Sequence, residues 1–266
     1  MLDFMSRGTY VLDPDDPRAP TVEQWEQLSE QERAEVVAQL PSEPPTDTVP
    51  EGDRHRIPKE RAVQALGEFF RRVKRRVYLS AELPVYYPGQ RWFAPDLIAV
   101  LDVEPGARDK WVVSAERKGL DLALEVTLRG DRRKDLVDNV ERYAKLCIAE
   151  YFVLDLLSGR IIGYRLEGGA TTYTPIVPQT GRWSSMVLGL DLVLEEGRLR
   201  FFMGSAPLLE ADELIGQLSS MVDGLPAKEA RLAEALEAEQ QRADEAEQRA
   251  ARLEAQLRQL GHEPAR

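Results

Sequence analysis

"PDLIAVLDV" at 95–103 and "LALEVT" at 122–127 each hold one acid in an apolar, strand-like run: Asp96 opens the first and Glu125 interrupts the second. An ionised carboxylate taken out of water costs several kcal/mol unless something pairs with it. Neighbouring strands lie about 4.8 Å apart, so acids on adjacent strands can grip one divalent cation. Such a cation binds a phosphoryl oxygen, lowers the pKa of a bound water and stabilises the charge that grows in phosphodiester cleavage. A lysine nearby orients the water or neutralises the transition state. Asp96, Glu125 and a lysine therefore point to a hydrolase, against the plainer reading of acids at strand ends.

The surrounding pattern is that of a mixed α/β domain. Ala62, Leu66, Phe69, Phe70 and Val73 give one apolar face of a helix whose first residue is read as Pro58. Strand-like runs follow in "VYLSAELPVYY", "DLIAVLDV", "WVVSAE" and "LDLALEVT". A second amphipathic helix is expected from about Lys134 to Leu146, then the strand "EYFVLDL", the turn "SGR", "IIGYRLE" and a last hairpin in "LDLVLEEGRLRFF". Before this core, "TVEQWEQL" and "SEQERAEVVAQL" carry the Ser/Thr-x-x-Glu/Gln signature of two helix starts, and "PSEPPTDTVPEGD" reads as a linker or extended loop. After Pro226 the composition turns to Ala, Glu, Arg, Gln and Leu. Leu232, Leu236, Ala243, Ala246, Ala250, Leu253, Leu257 and Leu260 recur at three and four residues, with Glu239 the polar interruption, which is a weak coiled-coil seam competing with a lone solvated helix. The expected division is an N-terminal helical extension (1–45), a central domain (46–215) and a C-terminal helical, coiled-coil tail (216–266).

Composition narrows the setting. The 266 residues are 43% apolar and 30% charged with a net charge of −11, ordinary for a globular protein and unlike a non-specific DNA coat. Positive charge clusters at 71–76 and 129–134, each read as a solvated helix end or turn ahead of a phosphate patch. One cysteine, Cys147, excludes a disulfide framework and is expected as a small core residue. No signal peptide or membrane-length apolar run is visible, so a cytoplasmic protein with no membrane partner is expected. Phosphate-loop, dinucleotide-binding, zincin and nucleophile-elbow motifs are all missing. His55 and His262 are the only histidines, which makes a His-based triad a poor fit.

"PDLIAVLDV", "LALEVT" and "KDLVDNVERYAKLCIAEYFVLD" together resemble the Uma family of putative restriction endonucleases, in the PD-(D/E)XK nuclease superfamily. The resemblance spans about residues 50–205. It rests on Pro95-Asp96, Glu125-Val126, Asp135 with Tyr143, and Glu150-Tyr151-Phe152-Val153 up to Asp155. It implies a restriction-endonuclease-like fold, DNA as substrate and Mg²⁺ (or Mn²⁺) as cofactor, with Asp96, Glu125 and the Val126 carbonyl as metal ligands. The lysine departs from the pattern: Thr127 stands two residues after Glu125, and Asn139 stands where the family often carries its lysine in the following helix. Asn139 can hydrogen-bond a water or a phosphate, and Lys134 at the helix start is the nearest spare ammonium. Both are candidate catalytic residues beside Asp96 and Glu125, weighed evenly against a solvated first turn. His55 borders the site or makes a helix-entry hydrogen bond. Glu60 is an extra acid or an exposed one, Tyr143 packs in the core, and Trp92, Trp111 and Trp183 are core or rim aromatics. The leading expectation is a metal-dependent endonuclease, homodimeric through its tail. The alternative is a non-catalytic nuclease-fold scaffold that recruits a partner.

Overall fold

The computed structural model describes residues 10–43, 52–128 and 133–259. Most of the proline-rich linker, part of the basic run at 129–134, Leu260 and His262 lie outside the described residues. The chain divides into two compact units, Met1–Glu210 and Ala211–Arg266. In the first, α1 (Val22–Gln27) and α2 (Glu30–Gln39) each open on a capping box, Thr21 with Gln24 and Ser29 with Glu32. Helix α3 (Asp53–Arg72) leads into β1 (Val77–Ser80), β2 (Val85–Tyr86), β3 (Leu97–Leu101) and β4 (Trp111–Val112). The short α4 (Val113–Glu116) precedes β5 (Leu122–Thr127), and a π-helical turn, Lys134–Asp138, runs into α5 (Asn139–Lys145). Then come β6 (Glu150–Asp155), β7 (Arg160–Arg165), β8 (Thr174–Pro175), β9 (Trp183–Ser185), β10 (Leu190–Glu195), β11 (Arg198–Met203) and β12 (Ala206–Pro207). The second unit is the helix α6 (Ala211–Gln259).

The central sheet runs β1-β3-β5-β6-β7-β8, with β5 and β6 parallel and the other pairs antiparallel. Every residue of β3, β5 and β6 is buried, as central strands covered on both faces require. Alternation sorts them. Leu97, Ala99, Leu122, Leu124, Val126, Phe152 and Leu154 meet Ala62, Leu66 and Phe70 of α3 and the apolar face of a second sheet, β12-β11-β10-β9. Ile98, Val100, Ala123, Tyr151 and Val153 face Tyr143 of α5, Ile148 and Trp111. Ala19, Val36 and Leu40 attach the N-terminal segment to Tyr86 and Val112. This is the expected mixed sheet flanked by helices.

Local readings differ in three places. Helix α3 begins at Asp53, so Pro58 lies inside it and His55 stands on the helix, where the sequence placed it just before. "WVVSAE" is split into β4 and α4, with Arg117 ending the turn in the left-handed region. Cys147 is exposed at a φ of +58° just past α5: the helix ends at Lys145, and the chain reverses there to start β6. Trp111 is fully buried, whereas Trp92 and Trp183 are partly buried.

Glu150, 1% exposed at the start of β6, ties the two sheets together. It accepts hydrogen bonds from Arg165 Nε (2.9 Å), Ser185 Oγ and the Met186 N–H (2.9 Å). Glu150→Ala leaves a half-buried guanidinium, a buried hydroxyl and an amide without their acceptor, a loss of about 1–3 kcal/mol, the cost of leaving buried donors unsatisfied. Denaturant unfolding of the variant checks this, and a loss under about 1 kcal/mol would contradict a structural role.

Candidate functional site

Strands β3 and β5 pair with Leu97 opposite Leu124 and Ile98 opposite Ala123, a register that continues outward to set Asp96 opposite Glu125. Alternation turns both acids to the α5 face of the sheet. The Asp96 N–H donates to Glu125 Oε2 at 3.4 Å, and Asp96 Oδ2 accepts the Val126 N–H at 2.6 Å. Asp96 and Glu125, singled out by the sequence, therefore converge at one sheet end beside Val126, whose N–H bonds Asp96 and whose carbonyl, the further ligand the resemblance implies, accepts from His55.

Glu125 is 5% exposed. Its Oε1 accepts the Tyr143 hydroxyl at 2.8 Å and Asn139 Nδ2 at 3.4 Å. Burial, and secondarily the charge of Asp96, push its pKa up to about 8, with Lys134 pulling the other way. Asp135 joins from the π-helical turn: it accepts Thr127 Oγ1 (2.8 Å) and Asn139 Nδ2 (3.4 Å), and burial raises its pKa. In this turn the Asn139 N–H bonds to the Lys134 carbonyl, five residues back, and the Tyr151 hydroxyl donates to the Asp135 carbonyl at 2.9 Å. Such turns recur at functional sites because they re-aim side chains. Asn139 is buried and so is not a solvated first-turn residue, whereas Lys134 is exposed; Tyr143 packs in the core as expected and also donates to Glu125.

Asp96 has a second set of neighbours. His55 Nε2 lies 3.3 Å from Asp96 Oδ2 and hydrogen-bonds the Val126 carbonyl at 2.6 Å. The Lys59 ammonium, 2% exposed, donates to Asp96 Oδ1 at 3.4 Å and to Glu82, and lies 3.4 Å from His55 Nδ1. Burial opposes ionisation of Asp96, but His55, the Val126 N–H and Lys59 prevail and hold its pKa below the usual range. Asp96 in turn raises the pKa of His55. Ligand atoms of His55, Glu82 and Asp96 lie within 4.8 Å of one another. That cluster already contains an internal cation, Lys59.

Lys59 and Glu82 went unread in the sequence. The signal for Lys59 was present: His55 and Lys59, four residues apart, continue the stripe of Ala62 and Leu66 toward the helix start. Setting the helix start at Pro58 left His55 off that stripe. Glu60 is exposed and paired with Arg56 at 2.6 Å, away from this cluster. Lys134 is exposed and lines a cleft of about 740 Å³ together with Glu125, Asn139, Tyr143, Arg91 and Arg142. Pro14, Pro17 and Pro41 of the N-terminal segment form another part of its wall.

A family model described as "Uma2: Putative restriction endonuclease" matches residues 21–195. Among solved structures, the crystal structure of a putative nuclease belonging to DUF820 from Anabaena variabilis aligns with 56% of this chain and 82% of its own, at 13% identity and a TM-score of 0.44. No curated protein matches the chain.

The shift on Glu125 has a thermodynamic consequence. Its folded pKa, about 8, lies above the reference 4.5, so between these values the folded state keeps a proton that the unfolded state has released. Stability in chelator-treated buffer should fall as pH rises through this window. His55, also shifted up, adds a fall in the same direction. Glu125→Gln should remove the Glu125 part, flattening unfolding midpoints between pH 5 and 8, and an unchanged slope would contradict the buried, protonated acid.

Proposed function

The chain belongs to the Uma2 family, and we propose that it is a Mg²⁺- or Mn²⁺-dependent endonuclease that hydrolyses DNA phosphodiester bonds. The convergence of Asp96, Glu125 and Val126 at one sheet end carries this reading. The donor set is oxygen only, the preference of hard divalent cations, and Glu125, whose pKa is raised first by burial and then by the charge of Asp96, would be ionised more readily beside a cation. When bound, the cation supplies a Lewis acid for a phosphate oxygen and an acidified water.

The chain's own groups prepare the site. Tyr143 and Asn139 fix the Glu125 carboxylate from one side, and Lys59 with His55 keeps Asp96 ionised and oriented from the other. Lys134, Arg91 and Arg142 offer positive charge at the cleft, which suits a phosphate backbone despite the net acidity of the chain. With Thr127 and Asn139 where a lysine is expected, Lys134 is assigned the ammonium that approaches the attacked phosphate. No helix among the described residues is long and apolar enough to cross a membrane, and the reading assumes a cytoplasmic setting with self-association through α6.

Supercoiled plasmid with Mg²⁺ or Mn²⁺ tests the assignment. Wild type should nick or linearise it, and Glu125→Gln should be at least about 100-fold slower. Lys134→Ala should lose on the order of 100- to 1,000-fold, the usual effect of deleting one preorganised electrostatic donor. Asn139→Lys should keep or raise the rate. Wild type and Asn139→Lys both inert on duplex and single-stranded DNA and on RNA would favour the scaffold reading.

A further inference from the structure

Helix α6 begins at Ala211, well before the Pro226 boundary suggested by composition, and this lengthens its seam. Ile215, Leu218, Val222 and Leu225 continue the three-and-four spacing of Leu232, Leu236, Leu253 and Leu257, and all eight are exposed. None of the side chains of α6 is buried. Its first turns also carry Gly216, Gly224 and Pro226, residues that disfavour an isolated helix in water, so burial of the seam has to supply the stability.

We propose that α6 is one strand of a parallel, in-register homodimeric coiled coil. Three features select a second copy in this orientation. With Ile215 and Val222 at a positions and Leu218, Leu225 and Leu232 at d, the leading heptads show the β-branched-a, leucine-d preference of parallel two-stranded coils. The flanking positions are sorted by charge: Lys228, Arg242 and Arg249 fall at g, and Glu247 and Glu254 at e. Parallel strands set each g against the e of the next heptad on the partner, which pairs Arg242 with Glu247 and Arg249 with Glu254 on both sides of the seam. Antiparallel strands set g against g and e against e, where no acid meets a base. Glu229, at an a position, also gains Lys228 across a parallel seam. The alanine layers at 243, 246 and 250 and the acid Glu239 make the middle weak, so the leucine-rich ends dominate. Both α6 strands would then start at the same end. This inference is independent of the phosphodiester reading.

Cysteine trapping in full-length protein decides it. In a Cys147→Ser background, Ile215→Cys and Leu257→Cys both occupy a positions, at opposite ends of the helix. The parallel dimer predicts disulfide-linked dimers in each single-cysteine protein under mild oxidation, and little cross-linking between the two when mixed. Cross-linking confined to the mixture would show an antiparallel pair. Its absence everywhere, with a monomer in sedimentation at tens of micromolar, would show that α6 has no second copy. Either result overturns the proposal.

Discussion

The site depends on one constraint: a carboxylate, Glu125, is held in the middle layer of a fully covered sheet, directly across from a second carboxylate, Asp96. A leucine at 125 would pack without cost, so the fold is organised to make the acid tolerable. Tyr143 and Asn139 donate to it from α5, and the π-helical turn before α5 sets Asp135 and Asn139 side by side over the strand end. On the other side of the pair, Lys59 reaches Asp96 from α3 through an otherwise apolar face. The two acids consequently diverge, Asp96 ionised and Glu125 protonated near neutral pH. Such splitting is typical of paired carboxylates whose surroundings differ.

The same packing explains the layering around the site. Because β5 and β6 are parallel, a crossover must link them, and that crossover is the segment carrying Lys134, Asp135 and Asn139. Its helix packs through Tyr143 against the face bearing Glu125, so any residue on its inner side near the start falls beside the acids. Helix α3 does the corresponding work across the sheet, and its buried stripe ends in polar residues, Lys59 and His55, where the strands end too.

Much of this was legible in the sequence. Apolar strands interrupted by single acids, and an amphipathic helix after the second, are local patterns, and they gave β3, β5, β6 and α5 correctly. The pairing of Asp96 with Glu125 followed from adjacency of those strands. Glu82 was not legible as a site residue, because its meeting with Lys59 and Asp96 joins α3, the loop after β1 and the residue before β3, and no short-range pattern records it; Lys59 showed only as a continuation of the α3 stripe. Pro58 misled the reading of α3, since proline favours the first helical position and here stands sixth, where it forgoes the bond to the Arg54 carbonyl and the helix continues through it. Cys147 was misread because apolar neighbours on both sides suggested continued helix, where the chain instead makes a left-handed turn.

The central claim is that Asp96 and Glu125 together form a divalent-cation site. Calorimetric titration of Mn²⁺ into wild type, Asp96→Asn and Glu125→Gln tests it most directly, since it reads binding without catalysis. The account predicts binding in wild type that is lost in both variants while their thermal transitions stay cooperative. Equal affinity in all three proteins, or none in wild type, would contradict it.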